Sequence, residues 1–101
     1  MTKYGYLATM RTHPGKRDEV VALLLTDPEA LRPLGCHVYA VGVSESDPDL
    51  IWVNEVWDSK EAHQASLQHP ETKAAIAAAM PLLTGEFTGQ ELTVPGGLGV
   101  G

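Results

Sequence analysis

One cysteine, one phenylalanine and seven lysines and arginines are all that this 101-residue chain holds of those types, and each scarcity closes off a class of function. Cys36 has no partner for an internal disulfide, and an extracellular domain this small ordinarily carries several, so a cytoplasmic location is expected. Seven Lys+Arg against thirteen Asp+Glu leave a formal charge of -6 with no basic run, which argues against a phosphate-backbone footprint and so against nucleic acid. The longest apolar stretch, Ala74 to Leu83, is broken by Pro81 and falls far short of the roughly 20 residues that span a bilayer. Met1 to Met10 lacks the apolar run and small-residue site of a secretory leader. His63 and His69 are six apart, outside the i, i+4 spacing that lets one helix hold a metal with two imidazoles, and no carboxylate cluster completes a set. Gly96-Gly97-Leu98-Gly99 matches a phosphate loop in composition only, because no strand-to-helix context surrounds it.

What is present is the composition of one ordinary globular domain, 44% apolar and 20% charged. A domain of this length buries only about two-thirds of its extended-chain surface, so little volume remains for a closed ligand cavity. A sizeable pocket is expected to need a partner subunit.

Tyr4 to Thr12 reads as a first strand ending at the turn His13-Pro14-Gly15. Lys16 to Thr26 begins polar and turns apolar, with Val20, Val21, Leu24 and Leu25 as one helical stripe. Asp27-Pro28 ends it, and Pro33 limits Glu29 to Leu34 to a short helical turn before Gly35. Cys36 to Ser44 and Leu50 to Trp57, rich in Val, Ile, Tyr and Trp, make an antiparallel hairpin across the polar turn Glu45-Ser46-Asp47-Pro48-Asp49. Strand alternation sets Trp52 and Asn54 on one face against Ile51, Val53, Glu55 and Trp57 on the other, and puts His37 and Tyr39 on a common face. Asp58 or Ser59 caps a helix from Lys60 to Gln68, and Pro70 breaks it. Glu71 to Met80 resumes as an alanine-rich helix with Ile76, Met80 and Leu83 on one stripe. Thr84 to Val94 is a last strand, closed by Pro95-Gly96-Gly97.

The order is β-α-β-β-α-β, the ferredoxin-like α+β arrangement: a four-stranded antiparallel sheet with helices on one face. Residues 1–95 form the domain and residues 96–101 a flexible glycine-rich arm. The uncovered sheet face invites a second copy, and two sheets packed face to face enclose the volume that one chain lacks.

Three blocks carry a family resemblance. They are Arg11-Thr12-His13-Pro14-Gly15-Lys16-Arg17-Asp18-Glu19, then Val53-Asn54-Glu55-Val56-Trp57-Asp58-Ser59-Lys60-Glu61-Ala62-His63, then Pro81-Leu82-Leu83 with the final strand and Val94-Pro95-Gly96-Gly97. Together they resemble the antibiotic biosynthesis monooxygenase family of dimeric α+β barrels, in its quinol-monooxygenase-like branch. The resemblance implies a homodimer that inserts oxygen from dioxygen into a quinol-like or polycyclic phenolic substrate without metal, flavin or haem. It also directs attention to Asn and Trp on the strand before the second helix, here Asn54, Trp52 and Trp57.

Such chemistry needs a dry site that deprotonates the substrate and stabilises its anion. Asn54 is the candidate that orients the substrate oxygen, and His63 or His37 the candidate base, since imidazole takes a proton near neutral pH. Trp52, Trp57 and Tyr39 are candidates for the apolar wall. The chain departs from its relatives at Ala79-Met80-Pro81, where an Arg often precedes the Pro. Haem degradation on the same fold calls for an Asn on the first strand and a helical Trp and His ten residues apart, whereas Tyr4 to Thr12 has no Asn and the positions that correspond are Ser66 and Ile76. The alternative is a non-oxygenase: a binding or stress-related module on the same barrel, or an isomerase or lyase of small carbonyl compounds.

Overall fold

The computed structural model describes residues 2–100 and has four strands in one antiparallel sheet, ordered β2-β3-β1-β4. β1 (Lys3–Thr12) lies at the centre, paired with β3 (Leu50–Trp57) on one side and β4 (Leu83–Val94) on the other, while β2 (Cys36–Val43) forms the far edge. Three helices connect them, α1 (Arg17–Leu24), α2 (Lys60–Ser66) and α3 (Pro70–Ala79), with a 3₁₀ segment at Pro28–Leu34 and another at Met80–Leu82. This is the expected ferredoxin-like α+β order, with Pro70 dividing α2 from α3.

Each element has a local cause. The turn between β2 and β3 is tied from α1, because Arg17 Nη1 donates to the Ser44 and Asp47 carbonyls at 3.0 and 2.9 Å. Gly35 ends the first 3₁₀ segment at φ +106°, a left-handed conformation that strains other residues, and its carbonyl accepts from the Asp58 N–H at 2.9 Å. Ser59 caps α2, its Oγ accepting the Ala62 N–H at 3.1 Å.

The core lies between the sheet and the helices. Val20 of α1 and Ala79 of α3 meet Ile51 and Val53 of β3, and Met10, Leu23, Leu24, Tyr39 and Val41 close around them. Two stripes differ from the expected ones. Leu25 lies beyond the last helical residue, where its backbone leaves helical geometry, and is exposed; Leu23 packs inward in its place. Ile76 on α3 and Met80 just past its end are exposed, and the inward row is Thr72, Ala75 and Ala79, small residues that let the helix approach the sheet closely.

The register also changes one expected face. Cys36 pairs with Trp57 and Val38 with Val56, so a bulge makes His37 the extra residue and breaks the alternation joining it to Tyr39. The opposite face of the sheet carries Leu7, Thr9, Trp52, Asn54 and Leu92 with no helix among the described residues over it, and Trp52 is 44% exposed there. Beyond β4, Val100 turns back to donate to the Gly97 carbonyl at 3.2 Å and is buried, while Leu98 is exposed.

Candidate active site

One end of the helix-covered face gathers the chemistry. Tyr4 and Tyr6 of β1 stand opposite Trp57 and Glu55 of β3, so the pleat directs all four side chains to the same side. α2 crosses above them and brings His63 down, buried, with ring centroids 5.1 Å from Tyr6, 5.6 Å from Tyr4 and 5.6 Å from Trp57. The Ser59 cap therefore matters to the site, because it holds the helix from which His63 projects.

A polar thread runs through these rings. Trp57 Nε1–H donates to Glu55 Oε1 at 3.0 Å, and the same oxygen lies 3.7 Å from His63 Nε2. Nearer solvent, the Tyr4 hydroxyl donates to Glu91 Oε1 at 3.0 Å, and Lys60 Nζ reaches the same atom at 2.9 Å. Burial disfavours charge on the inner pair. It pushes the Glu55 carboxyl up from its ordinary value, partly opposed by the Trp57 N–H, and pushes the His63 imidazole down, partly opposed by the field of Glu91. Tyr4 is raised to about 12 by burial first and by its bond to Glu91 second. Tyr39, which pairs with Glu55 across β2 and β3, is raised to about 12 by burial and then by Glu55. Both phenols stay protonated at neutral pH. Glu91 is held below the ordinary carboxylate range by Lys60 and then by Tyr4. The result is a weakly charged, aromatic-walled base with an ion pair at its rim.

The six candidates divide between places. His63, Trp57 and Tyr39 share the helix-covered face. Asn54 and Trp52 stand on the opposite face, so within one chain Asn54 cannot meet His63. Trp57 is 1% exposed and supports Glu55 and His63 from behind rather than forming a wall open to a ligand. His37 turns its ring from the bulge to Asp58 Oδ1, 2.5 Å away at the entry to α2. Cys36 is buried, donates to the Val38 carbonyl at 3.2 Å, and has its thiol pushed up to about 11 by burial, an unreactive thiol. Tyr4, Tyr6 and Glu55 join the cluster without having been singled out from the sequence. The available signals were two tyrosines spaced i, i+2 on a strand and a carboxylate within the apolar row Ile51, Val53, Trp57.

Two hollows lie elsewhere. One of about 80 Å³ opens between Pro28, Arg32, Cys36, His37 and Tyr39, and a wider one of about 360 Å³ between Arg11, Leu50 and Phe87; His63 lines neither. Among the described residues no three His, Cys, Asp or Glu side chains form a metal-holding group.

A sequence profile described as antibiotic biosynthesis monooxygenase matches residues 4–78, a span running from the first tyrosine of the cluster through its helices. The chain belongs to the antibiotic biosynthesis monooxygenase family. A crystal structure from Chloroflexus aurantiacus, provisionally named for the same family, is 41% identical and superposes with TM-score 0.82, covering 98% of this chain and 99% of that one. Another from Caulobacter crescentus, named in the same provisional way, is 28% identical with TM-score 0.79, covering 89% and 87%. A Mycobacterium tuberculosis protein at 22% identity, TM-score 0.77 and coverage of 89% and 92% shares the fold. No curated protein matches the chain. In this member of the family no helix among the described residues is long and apolar enough to cross a membrane.

Proposed function

We propose that this family member is a homodimeric, cofactor-independent monooxygenase acting on a quinol-like or polycyclic phenolic substrate, with His63 as its base. The observation that carries the reading is the setting of His63: a buried imidazole, biased toward its neutral form, ringed by Tyr4, Tyr6 and Trp57. Neutral imidazole is the form that accepts a proton. The half-buried Tyr4 and Tyr6 set aromatic rings beside His63, against which a flat aromatic substrate can pack, and the burial of His63 strengthens its interaction with a phenolic proton.

The reaction balances without a further reductant. His63 takes the phenolic proton, and the electron-rich anion passes one electron to dioxygen. The resulting radical and superoxide join in a carbon–oxygen bond. Breaking the O–O bond then releases one oxygen as water, which takes up two protons: the one His63 held and the one displaced from the oxidised carbon. The substrate loses two hydrogens and gains one oxygen. The protonated phenol of Tyr39 is a hydrogen-bond donor suited to a substrate anion at this end of the sheet, whereas the Tyr4 hydroxyl is already given to Glu91.

The test is dioxygen uptake by metal-stripped protein with a panel of hydroquinones. Uptake above the autoxidation rate is expected, falling by about 10²–10⁴ in His63→Gln, the range for a general base. No uptake above autoxidation across the panel overturns the reading, and tight binding of an aromatic without uptake favours a binding module.

A further inference from the structure

Glu55 is a buried ionisable group to which the proposed function gives no role. Its carboxylate sits in the apolar row of β3, where an uncompensated charge is costly, and two polar groups among the described residues approach Oε1: Trp57 Nε1–H at 3.0 Å and His63 Nε2 at 3.7 Å. The side chains of Glu55 and His63 are 13% and 9% exposed, so neither is held apart by bulk water. The indole bond fixes where Oε1 lies, and Trp57 is itself fully buried, 1% exposed. Oε1 thus stands beside one edge of the imidazole, within a small rotation of hydrogen-bond contact.

We propose that Glu55 is the positioning residue for His63, the two side chains forming one proton-holding unit in which Glu55 Oε1 faces Nε2 and directs Nδ1 as the proton-accepting edge. As a catalytic role this rests on the function proposed above, but the pairing itself is a property of the free protein. When His63 gains a proton, Nε2–H and Oε1 become a charge-assisted pair in a site of low polarity, and the indole N–H spreads the charge left on the carboxylate. The bond that forms in the step is N–H at the imidazole, and the bond that breaks is O–H of the substrate.

Other groups face the pair and must be separated from it. From β1 come the rings of Tyr4 and Tyr6, from β2 Tyr39 and Cys36, from β4 Glu91, and from α2 Lys60, which neutralises Glu91 at 2.9 Å. Glu91 is the rival source of negative field at His63. It is exposed and already shared by Lys60 and Tyr4, so its removal should matter less.

The experiment follows the His63 ring nitrogens by ¹⁵N NMR against pH in the substrate-free protein, in the parent, Glu55→Gln and Glu91→Gln. Glu55→Gln keeps an acceptor for the indole and removes the charge, and a thermal melt by circular dichroism confirms folding. In this variant the His63 midpoint is expected to fall by roughly one to two pH units, with a changed balance of neutral tautomers; in Glu91→Gln the fall is smaller. An unchanged midpoint and tautomer in Glu55→Gln overturns the proposal, as does a larger change in Glu91→Gln. Because no substrate is used, this outcome is independent of the dioxygen assay. A protein lacking oxygenase activity can still show the coupling, and an active oxygenase can still lack it. In turnover, Glu55→Gln is expected to lower kcat and leave KM.

Discussion

Tyr6 reaches His63 because residue 89, across the sheet, has no side chain. A Cβ at Gly89 would come within 2.8 Å of the Tyr6 ring carbon Cζ and nearer still to its hydroxyl. Gly89→Ala should therefore push the Tyr6 ring from its place, costing about 1–3 kcal/mol as an overpacked contact. Urea unfolding checks the cost, and a shift of the His63 ring resonances checks the displacement. Titration adds a second prediction. The folded-state pKa of His63 is depressed, so below the ordinary imidazole value of about 6.5 the unfolded chain binds the extra proton more readily, and stability falls as pH drops through that window. Glu55, raised above its ordinary 4.5, acts oppositely: its contribution is full below that value and is lost as pH rises through the raised one. His63→Gln should flatten the loss of stability just below pH 6.5, as measured by denaturant midpoints across pH. Two of the five members of this cluster were legible in the sequence. His63 and Trp57 announce themselves by residue type, and alternation alone separates Trp57 from Asn54. Tyr6 and Gly89 are far apart in the chain, and only the β1–β4 register joins them.

α2 is seven residues long, too short for its own backbone bonds to hold it without help at its ends. Ser59→Ala removes the acceptor for the Ala62 N–H and is expected to cost about 1 kcal/mol. For a domain of this size that lowers Tm by roughly 4–8 °C in a calorimetric scan. The same change should broaden the His63 resonances, since the helix carrying that ring frays from its start. Elements were the most legible scale, because Pro28, Pro33 and Pro70 punctuate the chain and the strands are rich in Val, Ile and Trp. The departures have physical reasons. A helix that stops at Leu24 rotates Leu23 rather than Leu25 inward, and on α3 the sheet accepts Thr72, Ala75 and Ala79 at close range while the larger Ile76, and Met80 just past the helix end, stay outside. The bulge at His37 leaves no mark in composition, being an adjustment of pairing between β2 and β3.

For the molecule as a whole, two exposed apolar side chains of nearly equal exposure stand on opposite sides, Trp52 at 44% on the uncovered sheet face and Ile76 at 45% on α3. Exposure alone does not tell a docking face from a solvated one. The sheet face differs in having Leu7, Thr9, Asn54 and Leu92 around the tryptophan with no helix among the described residues above them, which is the surface a second copy of the chain would cover. A twofold interface uses each residue twice, so losing about 2 kcal/mol per buried tryptophan weakens the dimer by about 4 kcal/mol, nearly three decades in Kd. Trp52→Lys is accordingly expected to sediment as a 10.8 kDa species at micromolar concentrations where the parent sediments at twice that mass, while Ile76→Lys sediments like the parent. A parent chain that is monomeric throughout this range removes the dimer, and equal dissociation by both lysines removes the sheet face as its interface. His63 packs against Tyr4, Tyr6, Glu55 and Trp57 of its own chain on the helix-covered face, so dissociation through the other face should leave the His63 titration unchanged even where it abolishes turnover.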